Sequence, residues 1–105
     1  MDIEKQYKTQ RWKRLRIAIL KRDNYLCQES KRYGKTVGAT LVHHIYPAKQ
    51  YPHLFYNPNN LISLSAKAHE KMHDRITDEI TATGKRWQQR QKEKISPPIV
   101  EKQID

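Results

Sequence analysis

The chain is 105 residues long, which allows one small domain with a short extension. Its 36% hydrophobic content supports a modest core, and no apolar run approaches the roughly 20 residues that cross a membrane. A single cysteine excludes an internal disulfide framework, and the net charge of +10 favours nucleic acid as partner over a membrane surface. The N-terminus lacks the apolar core of a signal peptide, so we expect a cytoplasmic protein.

Residues 5–22 are predicted to form an amphipathic helix. Its apolar stripe consists of Trp12, Leu15, Ile19 and Leu20. Residues 1–25 carry eight Lys or Arg against three Asp or Glu, so this segment is a candidate platform for a phosphate backbone. Lys13, Arg14 and Arg22 are the candidate phosphate contacts, although a solvated helix face explains any one of these side chains as well.

The next segment, residues 23–40, contains three dipeptides typical of turns, and we expect a short hairpin or irregular structure there. Cys27 is predicted to be a small buried hydrophobic residue rather than a reactive thiol.

Two histidines then stand side by side in an apolar, β-branched stretch, which predicts a short strand over 41–45. Because side chains alternate along a strand, His43 and His44 must face opposite ways. One of them can join a metal cluster while the other faces a different part of the site. Two solvated histidines at the end of a strand are the alternative interpretation.

Residues 46–60 form a long connection with three prolines, and its aromatic content predicts that it is packed rather than disordered. We expect His53, within it, to lie at the surface or to pack in the loop. Residues 61–64 alternate in polarity and are predicted to be a second strand, antiparallel to the first.

A helix is predicted over 65–79, with Ser65 as its N-cap. His69 and His73 lie four residues apart, on the stripe that continues through Met72, Ile76 and Ile80. Side chains at this spacing share one helix face, so both imidazoles can reach one ion. Such a pair is also found simply half-buried, so it is weak evidence by itself.

The C-terminal part is polar and basic, with Gly84 as a predicted helix stop and Pro97-Pro98 as a breaker. We therefore expect a domain over 1–82 and a basic extension over 83–105 that is mobile or partly helical.

Taken together, these residues resemble the HNH nuclease motif, also called the ββα-metal or His-Me finger. The motif residues are His43-His44-Ile45, Asn60-Leu61, Leu64 and His69, and the upstream residues Trp12, Leu15, Arg16 and 22–28 resemble the leader of small phage HNH endonucleases. The resemblance covers roughly residues 7–76. It implies an α+β fold, a small ββα-metal finger with an N-terminal amphipathic helix and a long packed loop between the strands.

The resemblance also implies a function, a metal-dependent endonuclease that hydrolyses phosphodiester bonds in DNA and leaves a 5′-phosphate and a 3′-hydroxyl. His43 and His69 would bind one divalent metal, and His73 matches a third ligand in the colicin-type version of the motif. His44 would be the general base that activates water. Asn60 would hold the loop, and so the base, in position.

Three neutral imidazoles suit zinc, nickel, cobalt or manganese better than magnesium, and the choice among Zn, Ni, Mn, Co and Mg stays open. Arg75, close to His73 in the sequence, is a candidate phosphate clamp.

One departure from the family concerns the two Cys-x2-Cys knuckles that bind a structural zinc in many members. The corresponding positions here are Cys27-x2-Ser30 and Ser65-x2-Ala68. A tetrahedral thiolate site cannot form from one sulfur, so the domain must be stabilised by packing alone.

Two other functions are compatible with the sequence. The first is a non-catalytic, basic DNA-binding module in which the metal only fixes the fold, but such a module has no need of His44. The second is an accessory protein of a phage packaging motor, since small phage HNH proteins are associated with terminases. The oligomeric state is left open by the sequence.

Overall fold

The computed structural model describes residues 3–95, and its centre is a two-stranded antiparallel sheet. The elements in chain order are α1 (Ile3–Tyr7), α2 (Gln10–Arg22), α3 (Gln28–Arg32), β1 (Leu41–His44), β2 (Leu61–Leu64), α4 (Ala66–His69) and α5 (Ala82–Ile95). The predicted α+β class, with an N-terminal helical segment and a long loop between two strands, is confirmed. None of the helices within 3–95 is long and apolar enough to span a membrane.

The strand register divides the sheet into two faces. His43 lies opposite Ile62 and His44 lies opposite Leu61. Because side chains alternate along a strand, His43 and Ile62 share one face, and His44 and Leu61 share the other. The second strand has the predicted bounds, and the first ends one residue earlier than predicted.

The predicted N-terminal helix is divided into α1 and α2 at Thr9. Thr9 adopts an extended conformation, and its hydroxyl accepts a hydrogen bond from the Trp12 backbone N–H at 3.1 Å. A threonine that caps a new helix in this way interrupts the preceding one, because the cap residue itself is not helical. Within α2, the predicted stripe does face the protein: Trp12, Ile19 and Leu20 are buried.

Buried side chains form two clusters. The cluster that includes α2 consists of Trp12, Ile19, Ala48, Phe55 and Leu61. The larger cluster contains Cys27, Ile45, Tyr46, Leu54, Ile62, Leu64, Ala68, Met72, Trp87 and Ile95. The loop between the strands contributes Leu54 to one cluster and Phe55 to the other, each 1% exposed, so it is packed as predicted. His53 is exposed, as expected.

The helix predicted over 65–79 is wrong in its length. Ser65 caps it as expected, accepting a hydrogen bond from the Ala68 N–H, but α4 ends at His69. Further along, the Asp74 carboxylate accepts hydrogen bonds from the backbone N–H groups of Ile76 and Thr77, at 2.8 and 2.9 Å. An aspartate that bonds nearby backbone groups in this way favours a turn over a helix. Ile76, predicted to lie on the buried stripe, is accordingly 93% exposed.

The C-terminal helix packs on the main cluster. The Trp87 indole N–H donates to a Glu29 carboxylate oxygen at 2.8 Å, and Ile95, at the end of α5, is 1% exposed. The division of the chain at residue 82 stays a prediction, and Pro97-Pro98 lies outside the described residues.

Gly84 was expected to end a helix, and this is wrong. It lies in the first turn of α5, where a Cβ atom would stand 2.6 Å from Ile80 Cγ1 and 2.7 Å from the Met72 carbonyl oxygen. The position therefore requires glycine because of close approach, not because of its backbone angles.

The positions that correspond to the zinc knuckles lie together and retain one sulfur, that of Cys27. Cys27 is fully buried, as predicted, and packs in the same cluster as Ala68. Burial acts to raise the pKa of the Cys27 thiol, but hydrogen bonds with Ser30 and Ser65 outweigh it and hold that pKa below its ordinary value. Serine hydroxyl groups thus surround the remaining sulfur.

A stability comparison tests the close approach at Gly84. Gly84→Ala should lower the free energy of unfolding by about 1–2 kcal/mol, because overpacking outweighs the gain of about 1 kcal/mol in helix propensity. Gly38→Ala is the matched control, since a Cβ there meets nothing within 4 Å. Urea unfolding of both variants measures the difference, and equal midpoints would contradict the tight packing of α5.

Candidate active site

Three histidines from different parts of the chain meet beside the sheet. The ring centroid of His43, on β1, lies 5.2 Å from that of His69 and 6.0 Å from that of His73. His69 is the last residue of α4, and His73 is held by a β-bridge to Ile80 rather than by the predicted helix. The sequence therefore identified a set of side chains that lie together, although His73 reaches it by another route.

The environment of His43 keeps its imidazole neutral. Burial, and then the neighbouring His69, His73 and His44, lower the pKa of His43 to about 3. Partial desolvation and His73 also lower the pKa of His69, against a raising effect of Glu70. Neutral imidazoles are the form in which histidine offers a lone pair to a metal.

His43 also carries an unused polar atom. Its Nε2 is buried and has no hydrogen-bond partner among residues 3–95. Buried polar atoms nearly always have a partner, so such an atom indicates a missing ligand. This observation fits a metal at the cluster. Within residues 3–95, however, no three His, Cys, Asp or Glu side chains are already arranged as a metal site, so the three rings are close but not convergent.

His44 points to the opposite face, as predicted, into an aromatic pocket. Its ring stacks on Trp12 at a centroid distance of 5.2 Å and lies 4.7 Å from Phe55. Burial lowers the pKa of His44, while the hydrogen bond with the Phe55 carbonyl acts to raise it.

Two hydrogen bonds assign the protonation of the His44 ring. Nε2 lies 3.0 Å from the Phe55 carbonyl oxygen, which only accepts hydrogen bonds, so Nε2 carries the proton. Nδ1 is then the acceptor atom, and it lies 3.2 Å from the Tyr7 hydroxyl. This tautomer leaves His44 with one basic nitrogen at a defined position.

Asn60 closes the long loop. Its Oδ1 accepts from the Tyr46 N–H at 2.8 Å, and its Nδ2 donates to the Tyr46 and Leu54 carbonyl oxygens at 3.1 and 3.4 Å. Asn60 is completely buried, so these bonds join the end of β1 to the loop that provides the Phe55 carbonyl.

The candidate phosphate contacts have different surroundings. Lys13 and Arg14 are exposed on α2, and Arg75 is exposed in the turn after His73. Arg22 instead bonds the Asp23 carboxylate and donates to the carbonyl oxygens of Pro58 and Leu61. Those contacts use four of its five N–H donors within the fold, and a phosphate contact by any of these side chains stays a prediction.

A cavity of about 290 Å³ lies beside the histidines. It is lined by His43, His44, His69 and His73, together with Tyr7, Leu41, Val42, Pro47 and Ala48. Tyr7 and the Phe55 carbonyl were not identified from the sequence. Neither belongs to a motif, and both contacts arise from packing between distant segments.

The chain matches no family model, and no curated protein matches it. Among solved structures, the crystal structure of the HNH endonuclease of the deep-sea thermophilic bacteriophage GVE2 with manganese ion superimposes with a TM-score of 0.64. The two sequences are 34% identical, and the match covers 65% of this chain and 74% of the phage enzyme.

The chain belongs to the HNH endonuclease family. The resemblance found in the sequence is therefore confirmed, and so is the ββα-metal fold. In this HNH domain the third element of the finger is the single-turn helix α4 followed by a bridged turn.

The role of Asn60 in the HNH domain is open to a stability test. Asn60→Ala should lower the free energy of unfolding by about 2–4 kcal/mol, because it leaves the buried Tyr46 N–H without an acceptor and creates a cavity. The exposed Asn59 is the control: its Nδ2 donates one exposed hydrogen bond to the Lys94 carbonyl oxygen, so Asn59→Ala should lower the free energy of unfolding by no more than about 1 kcal/mol. Chemical denaturation of the two variants measures this, and similar losses would show that Asn60 does not hold the loop.

Proposed function

We propose that the protein is a metal-dependent DNA endonuclease that hydrolyses phosphodiester bonds, with His44 as general base and one divalent metal on His43, His69 and His73. The observation that carries the proposal is the pairing of two different histidine environments across one strand. One side has neutral imidazoles with an orphaned Nε2, and the other has a single oriented base.

The crystal structure of the phage GVE2 enzyme contains a manganese ion, which supports a divalent metal here. The rings of His69 and His73 lie edge to face with that of His43, so binding requires the nitrogen atoms of all three to turn toward one point. When bound, the ion supplies charge neutralisation at the phosphate and assistance to the leaving oxygen. The donor set accommodates Mn, Zn, Ni or Co better than Mg.

The protein's own groups supply the activation of water. The Phe55 carbonyl fixes the His44 ring, so Nδ1 is the ring nitrogen that receives a proton when the water is activated. Asn60 fixes the loop that carries this carbonyl. The products are a 5′-phosphate and a 3′-hydroxyl, as the family resemblance implies.

A non-catalytic DNA-binding role gains no support from the surroundings of His44. A purely structural metal site needs neither a second histidine on the opposite face nor a fixed tautomer for it. A terminase as an additional partner rests on the resemblance alone.

Alanine variants of the two adjacent histidines distinguish the proposed metal ligand, His43, from the proposed general base, His44. His43→Ala should reduce metal affinity by about 10–100-fold or more and reduce cleavage with it, because losing a ligand costs at least as much as losing an outer-shell contact. His44→Ala should keep metal and DNA binding and lower cleavage by about 10²–10⁴-fold, the usual value of a general base. Plasmid nicking at saturating Mn²⁺, with and without EDTA, and calorimetric metal titration measure both.

His53→Ala is the control for these variants, because His53 is exposed and lies outside the cluster. It should behave like wild type in both measurements. Wild-type rates for His44→Ala at saturating metal would contradict the assignment of the base, and cleavage that persists in EDTA would contradict the need for a metal.

The salt dependence of DNA binding tests the role of the basic surface of α2. Lys13 and Arg14 are exposed on α2, the helix whose Trp12 stacks on His44, and this supports the proposal that they contact the phosphate backbone. Reversing both charges should weaken DNA binding and reduce the slope of log K against log salt by about two, because each phosphate contact contributes about 0.9. Turnover on saturating DNA should change little.

Charge reversal at Lys31 and Arg32, an exposed basic pair on α3, is the control for net charge. Fluorescence anisotropy between about 50 and 200 mM salt measures the slopes. The same reduction for both pairs would show that α2 contributes only its bulk charge.

A further inference from the structure

The Tyr7 hydroxyl occupies the atom that the proposed mechanism needs. With the Nε2 proton of His44 committed to the Phe55 carbonyl, the ring has a single in-plane lone pair, on Nδ1. The Tyr7 hydroxyl lies 3.2 Å from Nδ1 and is the donor of that hydrogen bond. A water molecule cannot donate to the same lone pair while this bond is in place.

Three ring contacts hold Tyr7 where it is. Its ring lies 5.0 Å from Phe55 and 5.2 Å from Trp12, both edge to face, and 5.9 Å from His44 itself. Edge-to-face aromatic pairs add about 0.5–1.5 kcal/mol each beyond their buried area. The tyrosine is thus packed against the same aromatic residues that orient the base, which disfavours its leaving when a substrate arrives.

Tyr7 also borders the candidate site. It lines the cavity that contains His43, His69 and His73, and its side chain is partly exposed. A phenolic oxygen that donates one hydrogen bond still has lone pairs with which to accept another. Burial raises the pKa of Tyr7, so the hydroxyl stays protonated and available as a donor at neutral pH.

We propose that Tyr7 is a catalytic residue that relays a proton from the attacking water to His44. This inference rests on the proposed nuclease function. In the step, the water oxygen forms a bond to phosphorus while its proton passes to the Tyr7 oxygen. The Tyr7 proton passes to His44 Nδ1, the bond from phosphorus to the 3′ oxygen breaks, and the leaving oxygen takes a proton from solvent. Tyr7 ends the step as it began, and His44 carries the proton.

The test removes the hydroxyl and keeps the ring. Tyr7→Phe should lower kcat for DNA cleavage by about 10²-fold or more with KM unchanged, because a positioned proton-transfer group contributes about 10²–10⁴-fold. Tyr33→Phe, the same change at an exposed tyrosine directly after α3, should leave kcat as in wild type. In the His44→Ala background, Tyr7→Phe should cause no further loss, because the two groups act in one relay.

Each outcome of the kinetics is decisive. Cleavage by wild type with an equally fast or faster Tyr7→Phe overturns the relay and leaves the nuclease proposal intact. It would mean that Tyr7 only covers the base. Absence of cleavage by wild type with every metal contradicts the nuclease proposal, and the relay with it.

A measurement without turnover checks the contact itself. In ¹⁵N-labelled, metal-free protein, the Nδ1 resonance of His44 should move when Tyr7→Phe removes the hydrogen bond, while the Nε2–H resonance keeps its position. An Nδ1 resonance identical in the two proteins would overturn the inference whatever the kinetics. If Tyr7→Phe does not fold, wild type alone is measured. A scalar coupling across the hydrogen bond, or slow exchange of the Tyr7 hydroxyl proton with water, should be observed, and the absence of both would overturn the inference.

Discussion

The closure of the long loop by Asn60 is the constraint on which the site depends. The strand that carries both histidines is only four residues long, and such a strand has little stability of its own. Asn60 forms hydrogen bonds with the backbone N–H and carbonyl groups of Tyr46, two residues after His44. It also donates to the Leu54 carbonyl oxygen in the loop. The strand end and the loop are thereby fixed to each other. His43 and His44, which face opposite ways along the strand, are therefore held in two different environments.

The second requirement is stability without a structural zinc. The knuckle positions retain one sulfur, in contact with serine hydroxyl groups, and Trp87 from α5 packs in the same cluster. Two glutamines of α5 add hydrogen bonds to the segments that flank the loop, from Gln88 to the Ile45 carbonyl oxygen and from Gln91 to the Asn59 carbonyl oxygen. A helix outside the finger thus supports the finger through side-chain packing and hydrogen bonds in place of metal coordination.

The sequence allowed prediction of those features that depend on local rules. The opposite orientation of His43 and His44 follows from strand alternation, and the cap at Ser65 follows from local hydrogen bonding. The early end of α4 was not predicted, because helix propensity over 66–72 is good and the competing turn depends on the Asp74 carboxylate. Tyr7 and Trp87 could not be placed from sequence, since their partners His44 and Glu29 lie 37 and 58 residues away.

The packing of α5 has a consequence for synthesis of the protein. Residues 41–73 contain every histidine of the cluster, yet the core beneath them includes Trp87 and Ile95. Domains fold as units during synthesis, so this core closes only after residue 95 has left the ribosome. The cleft that brings the histidines together is therefore completed only once α5 has been made and can pack beneath them.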